Sequence, residues 1–216
     1  LLIGSIVLYM IAHAVQQNDS RHIRTLAELN AVTYGDNMIA DLNAGINITD
    51  TLEQLLISTD GRIDKFDIIA DRMMADYVRS IQVAPGGIVT DIYPAEGNEA
   101  GKIDLIHDKY RGETVNYSIA NNALIIHGPF ELEQGGHVLS IRNPVFLQDE
   151  KGTPYFWGMT MVIIKVPDIF QHSADALTNF GYQYRLSKTI SPLTDEYTVV
   201  DQSEETLMDP VSYDFT

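Results

Sequence analysis

The chain of 216 residues contains no cysteine and few basic residues. The absence of cysteine excludes disulfide frameworks, iron–sulfur clusters, cysteine-based zinc sites and thiol catalysis. Since 30 Asp and Glu residues stand against 14 Lys and Arg residues, the formal charge is 14 − 30 = −16. Sequence-independent nucleic-acid binding needs basic side chains to neutralise phosphates, so we expect no nucleic-acid partner.

Long apolar segments are also scarce, and the longest one lies at the N-terminus. Leu1 to Val15 contain 12 apolar residues, whereas a complete bilayer span needs about 20. We therefore interpret residues 1–16 as the end of a transmembrane helix or as the start of a buried helix. Residues 17–77 then form a helical stalk, in which we expect dimerisation.

The usual catalytic signatures are missing from the sequence. It contains no Walker A loop, no G-x-G-x-x-G, no G-x-S-x-G and no H-E-x-x-H. We therefore predict that this segment is not an enzyme and holds no cofactor, metal or catalytic residue. Two minor alternatives remain: a metal site at His127 and His137, and a hydrolase that uses Glu131 and Glu133 as acid and base.

Hydrophobic periodicity predicts an α+β fold. Helical spacing favours one long helix over residues 21–48, a second helix from near Asp50 and a third from Asp64 to Tyr77. The period then changes to that of strands. The predicted later elements are a hairpin over 80–93, a helix over 108–121, strands over 127–134, 138–147 and 155–166, a helix over 168–179, and strands over 182–190 and 197–200.

This element order is typical of a PAS-like domain, in which an antiparallel five-stranded sheet carries flanking helices. The predicted sensor domain spans residues 78–167. Residues 168–216 are predicted to form a linker helix and a smaller, partial, membrane-proximal PAS-like subdomain.

Four stretches of the sequence carry a more specific signal through their order and spacing. They are residues 81–89 (IQVAPGGIV), 92–100 (IYPAEGNEA), 128–136 (GPFELEQGG), and 142–146 (RNPVF) followed by 156–158 (FWG). Together they resemble a CHASE domain, the sensory extracellular module associated with cyclases and histidine kinases, of the bacterial type.

The resemblance implies the extracytoplasmic sensor of a membrane-bound receptor. Such a domain binds a small molecule, dimerises through its N-terminal helices and is held in the cell membrane by flanking transmembrane helices. It passes ligand occupancy to a cytoplasmic output domain, most often a diguanylate cyclase or histidine kinase. We therefore expect a periplasmic or extracellular domain with an unidentified small-molecule ligand, for which an anionic compound is one candidate.

Seven residues are the candidates for ligand contact. They are Tyr93, Asp108, Tyr117, Leu132, Gln134, Arg142 and Trp157. Arg142 is the main one, because an inward-facing guanidinium can bind a carboxylate or phosphate with two hydrogen bonds. The alternative is that Arg142 forms an ion pair with Glu131 or Glu133. Trp157 is equally compatible with a place in the core.

Two other functions stay open from the sequence. A Cache-type extracytoplasmic sensor would share the sheet and the location but bind its ligand through different residues. A dimerisation module of the same receptor would bind no ligand at all.

Overall fold

The structure is a computed structural model of the chain. It describes residues 2–95, 101, 103–131, 136–204 and 206–214, with side chains described from residue 20 onward. The chain forms two compact units. One comprises Leu1–Ala40, His172–Tyr184 and Ser203–Thr216, and the other comprises Asp41–Gln171 and Arg185–Gln202.

The first element, helix α1, runs without interruption from Leu2 to Ser58. The predicted break near Asp50 is wrong. Instead of capping a new helix, the Asp50 carboxylate accepts a hydrogen bond from Asn143 Nδ2 at 3.2 Å. Gly45 also lies inside the helix. A Cβ at this position would lie only 3.0 Å from Ile141 Cδ1. The small residue lets the helix approach the sheet closely.

Helix α1 buries one side of its C-terminal half within the larger unit. Ile48, Leu52 and Leu56 lie at the helical spacing of i, i+4 and i+8 and are almost completely buried. Between them, the carbonyl oxygen of Thr49 accepts a hydrogen bond of 3.0 Å from Thr160 Oγ1. This part of α1 is therefore fixed to the sheet by apolar packing and by buried polar contacts.

Three shorter helices follow. They are α2 (Phe66–Met73), α3 (Gly112–Asn121) and α4 (Gln171–Asn179), the last preceded by a 3₁₀ turn at Asp168–Phe170. Asp60 and Gly61 form the turn between α1 and α2, and both have positive φ angles, of 54° and 79°. Helix α2 is shorter than predicted, and it begins after Lys65 rather than at Asp64.

The predicted five-stranded antiparallel sheet is confirmed. Its strands are β1 (Val78–Pro85), β2 (Asp91–Tyr93), β3 (Ile125–Glu131), β4 (His137–Gln148) and β5 (Pro154–Val166). Their order in the sheet is β2-β1-β5-β4-β3. The hairpin of β1 and β2 is antiparallel as predicted, with Gln82 opposite Ile92. A separate two-stranded sheet is formed by β6 (Arg185–Thr189) and β7 (Tyr197–Gln202).

The predicted membrane segment at residues 1–16 falls in the part of the chain whose side chains are not described. Across the described residues, no helix combines the length and the apolar character needed to cross a membrane.

Candidate functional site

The two faces of the large sheet have different neighbours. Ile141 and Thr160 lie on the face that contacts α1. On the other face, Met159 and Met161 of β5 form one buried apolar cluster with Val115 of α3. Helix α3 therefore covers the second face, which we call the α3 face.

The strand register brings a buried arginine onto the α3 face. Arg142 of β4 pairs with Met161 of β5, and Met161 pairs with Gln82 of β1. Because paired residues of neighbouring strands point to the same side of a sheet, all three side chains lie on the α3 face. Arg142 is only 3% exposed. The buried side chain of Arg142 thus lies beside the apolar side chain of Met161 on the α3 face.

The Arg142 guanidinium is incompletely hydrogen-bonded. Its Nη1 donates to Nδ1 of His127 on β3, at 3.0 Å. Its Nε is buried and has no hydrogen-bond partner among the described residues. Burial, with a smaller effect of Arg111, lowers the pKa of Arg142 to about 10, while Asp108 opposes the shift. The guanidinium therefore stays charged at neutral pH. A buried charge that lacks a partner is unfavourable.

A second polar group without a partner lies close by. Ser140 precedes Arg142 by two residues on β4, so both side chains point to the same face. Ser140 is 2% exposed, and its Oγ has no hydrogen-bond partner among the described residues. Across the sheet, on β1, Gln82 Nε2 donates to Ser80 Oγ at 2.9 Å. The α3 face therefore holds buried polar groups on both sides of Met161.

In the described part of the chain, two charged residues act on Arg142, the cation Arg111 and the anion Asp108, and their side chains form an ion pair at 3.7 Å. Asp108 lies before α3, and its Oδ1 accepts hydrogen bonds of 2.8 Å from the backbone N–H groups of Tyr110 and Arg111. Burial alone would raise the pKa of Asp108, but these hydrogen bonds and the charges of Arg111 and Arg142 lower it overall. Asp108 is therefore ionised at neutral pH.

Lys188 of β6 adds a further cation. Its Nζ donates to the carbonyl oxygen of Gly128 at 3.3 Å, and burial lowers its pKa. Among the described residues, the cations Arg111, Arg142 and Lys188 act on His127, and the carboxylate of Asp108 opposes them there. We call these four charged residues and His127 the Arg142 cluster. The cluster carries net positive charge in a chain that is strongly acidic overall.

His127 is neutral in this environment. Burial lowers its pKa to about 4, and the charges of Arg142, Lys188 and Arg111 add to the shift. Since Nδ1 accepts from Arg142, the neutral ring carries its proton on Nε2. The ring also packs edge-on against Phe130, with centroids 4.7 Å apart. His127 therefore holds Arg142 in place as a hydrogen-bond acceptor.

Of the seven predicted ligand residues, the structure brings Arg142 and Asp108 together. Tyr117 lies half-buried on α3, which covers the same face. Leu132 and Gln134 lie outside the described residues, as does Glu133. Glu131 is exposed at the end of β3, and the described partner of Arg142 is His127 rather than Glu131.

Tyr93 and Trp157 lie on the opposite side of the sheet. Ile92 packs on the apolar cluster of the α3 face, so the next residue, Tyr93, points away from it. The Tyr93 hydroxyl donates to Asp71 of α2, and this hydrogen bond raises the Tyr93 pKa. The Trp157 indole nitrogen fills the space that a Cβ on Gly61 would need. The structure thus separates these two aromatic residues from Arg142.

Sequence reasoning missed several residues of the Arg142 cluster. His127 was considered only as a metal ligand with His137, which is exposed at the start of β4. The described residues contain no group of three or more His, Asp or Glu side chains placed to hold a metal ion. The spacing of Ser140 and Arg142, two residues apart on a predicted strand, was a signal in the sequence that could have placed both side chains on the same face. Nothing local in the sequence indicates that Lys188 approaches Gly128, because 60 residues separate them.

Comparison with known proteins gives a likeness in fold. No family model matches the chain, and no curated protein matches it in sequence. Among solved structures, an extracellular ligand binding receptor from Desulfohalobium retbaense DSM5692 is similar, with a TM-score of 0.55 and 15% identity. The match covers 71% of this chain and 28% of that chain, so this chain corresponds to about a quarter of the receptor.

Proposed function

We propose that this chain is an extracytoplasmic small-molecule sensor of a membrane-bound signalling receptor, and that its ligand binds on the α3 face. The observation that carries the proposal is the pair of buried polar groups that have no hydrogen-bond partner among the described residues, Arg142 Nε and Ser140 Oγ. A bound molecule would satisfy both groups and offset the cost of burying them. The similar fold of an extracellular ligand binding receptor supports this function.

The membrane attachment and the CHASE identity belong to the same proposal. They are supported by the four sequence stretches and by the apolar N-terminal residues. In this account the output domain is a diguanylate cyclase or a histidine kinase. The chain itself performs no catalysis.

Strand β4 offers a route from the ligand to helix α1. Arg142 faces α3, whereas its neighbour Asn143 faces α1 and donates to Asp50 at 3.2 Å and to Glu53 at 2.8 Å. A ligand that repositions Arg142 would shift the adjacent Asn143 and so bias the packing of α1. The ligand must have different affinities for the two packings, because equal affinities would transmit nothing.

The proposal also includes dimerisation of the chain through α1. Ile23, Leu26 and Leu29 follow one another three residues apart, which places them on one side of the helix, and they are exposed, with Ile23 63% and Leu29 61% accessible. A second copy of the helix would cover these apolar side chains. Leu29→Glu should then lower the oligomeric state measured by light scattering, while Glu28→Gln, at the neighbouring exposed position, should leave it unchanged.

A thermal-shift screen tests the sensor function. Purified protein would be screened against carboxylates, amino acids, nucleobases and adenine derivatives, with Arg142→Gln in parallel. A ligand at 100 times its dissociation constant stabilises a protein by about 2.7 kcal/mol. We expect at least one compound to raise the melting temperature of the wild type but not of the variant. If no compound in the library raises it, a ligand-free dimerisation module becomes the better account.

A substitution of Asn143 separately tests the proposed route by which ligand binding changes the packing of α1. In the full receptor, Asn143→Leu should leave the ligand dissociation constant within about twofold, since Asn143 points away from the α3 face. It should reduce the ligand-dependent change in output activity, because the contacts to Asp50 and Glu53 are lost. An unchanged response in a variant that still binds ligand would contradict the proposed route.

A further inference from the structure

We infer that the ligand of the proposed sensor is a monocarboxylate with a small apolar remainder, whose carboxylate binds Arg142 side-on and accepts a hydrogen bond from Ser140. This inference rests on the proposed function and specifies the chemistry of its ligand.

The available donors fit a carboxylate. The Nε–H and an adjacent Nη–H of an arginine form a parallel pair of donors that matches the two oxygens of a carboxylate. In Arg142, His127 occupies Nη1, and Nε remains buried without a described partner. The Ser140 hydroxyl, two residues along the same strand, supplies one further donor. Carboxylate oxygens accept from all of these groups without needing any donor of their own.

The local charge also selects an anion. The charges of Arg111, Arg142 and Lys188 act on His127, and among the described residues Asp108 is the carboxylate that opposes them. The His127 ring contacts Arg142 of β4 directly, and the other charges that act on it come from Lys188 of β6 and from Arg111 and Asp108 in the segment before α3. A neutral ligand would leave the buried guanidinium uncompensated, and a cationic ligand would be repelled. An anion next to Arg142 would balance the excess positive charge.

The neighbours of Arg142 in the sheet define the rest of the ligand. Arg142 lies between Met161 and Ile125 in the register, and both are buried apolar residues. Phosphate, with oxygens on all sides, would place charged oxygens against these side chains and near the Asp108 carboxylate. A planar carboxylate directs its two oxygens to Arg142 and leaves its other end against apolar surface. Short aliphatic acids therefore fit this position better than inorganic anions.

The probes are acetate, propionate and butyrate, each compared with its own amide. Acetamide, propionamide and butyramide have nearly the same shape but carry no charge. Isothermal titration at constant ionic strength should show binding of the acids that strengthens with chain length. The amides and inorganic phosphate should bind at least tenfold more weakly, since they lose the charge-assisted pair or the apolar fit.

Asp108→Asn is the decisive variant, and Asp149→Asn is its matched control. In both residues Oδ1 accepts two backbone hydrogen bonds, which an Asn side chain keeps: at Asp108 from Tyr110 and Arg111, and at Asp149 from Lys151 and Thr153. Only Asp108 belongs to the Arg142 cluster. Asp108→Asn should therefore tighten binding of propionate and butyrate severalfold, and Asp149→Asn should not change it.

Ser140→Ala tests the hydroxyl contact. It removes one hydrogen bond to a charged group, so affinity for the acids should fall by about tenfold. The free protein should keep its stability, because Ser140 Oγ has no described partner to lose. Unchanged affinity in this variant would remove Ser140 from the site.

The outcomes separate this inference from the function on which it rests. If the amides bind as well as the acids, or if Asp108→Asn has no effect on acid binding, the carboxylate assignment is overturned while a small-molecule sensor remains. Tighter binding of phosphate than of the acids also overturns the assignment. If the acids fail to bind and the broad screen yields no ligand either, the sensor function itself falls.

Discussion

Acidification should destabilise the protein through His127, a residue that the fold holds in its neutral form. The native pKa is about 4, against an ordinary value of 6.5. Between these two values the unfolded chain binds more protons than the native state, so stability falls as pH decreases through this range. The stabilisation is fully present above about pH 6.5 and is lost progressively toward pH 4.

The magnitude follows from proton linkage. With pKa values of 6.5 and about 4, the free energy of unfolding should fall by about 2 kcal/mol between pH 7.5 and pH 5. His127 is only half-buried, and solvent screening reduces the effect to about 1 kcal/mol. Urea unfolding at a series of pH values, followed by circular dichroism, measures this quantity directly.

A substitution isolates this contribution from that of the many carboxylates. His127→Gln keeps an acceptor oxygen for Arg142 Nη1 but cannot take up a proton. Its stability should therefore depend less on pH, by about 1 kcal/mol over the same range. His137→Gln, at an exposed position on β4, should follow the wild type. If His127→Gln loses stability with acid as steeply as the wild type, the argument for a neutral, buried His127 is refuted.

Two substitutions test the packing of the sheet. Leu52→Ala should lower the free energy of unfolding by about 2–5 kcal/mol, because the side chain is 0% exposed. Ile57→Ala, at a position of α1 that is 46% exposed, should change it much less, and equal effects would contradict the placement of α1. Gly158→Ala should cost about 1–3 kcal/mol, because its Cβ would meet the backbone of Ala84 and Pro85. An unchanged free energy of unfolding in the same urea titration would contradict this close approach.

The strands were predictable because their residues carry local signals, and the antiparallel sheet was predicted from the PAS-like order of the elements. The alternation in β4 and β5, and the Pro-Gly-Gly turn after β1, indicate strands and a hairpin without any tertiary information. The continuity of α1 was not predictable in this way. Asp50 has the character of a helix cap, but its carboxylate bonds to Asn143, 93 residues away in sequence. Tertiary contact overrides the local preference there.

The candidate site shows the same division. Arg142 was identified because it lies in one of the four stretches that resemble a CHASE domain, on an alternating strand where an inward-facing guanidinium can bind an anion. His127 and Lys188 were missed as its neighbours, since the strand register and the contact with β6 bring them there. Tyr93 and Trp157 were selected as aromatic residues within the motifs. Strand alternation places Tyr93 on the other face, and the register irregularity between β4 and β5 at Val145 and Phe146 turns Trp157 to that face as well. A shift of one residue along a strand turns a side chain to the opposite face of the sheet.

Methionine methyl NMR tests the central claim most directly, because the chain carries natural probes at the relevant positions. Met161 lies beside Arg142 on the α3 face, and Met159 lies in the same apolar cluster. Met38 on α1 and Met208 near the C-terminus lie outside that cluster. Titration with butyrate should shift the methyl signals of Met161 and Met159 in a saturable manner and leave Met38 and Met208 in place. Saturable shifts confined to Met38 or Met208, or no saturable shift with butyrate or with any compound that stabilises the protein, would contradict a ligand site on the α3 face.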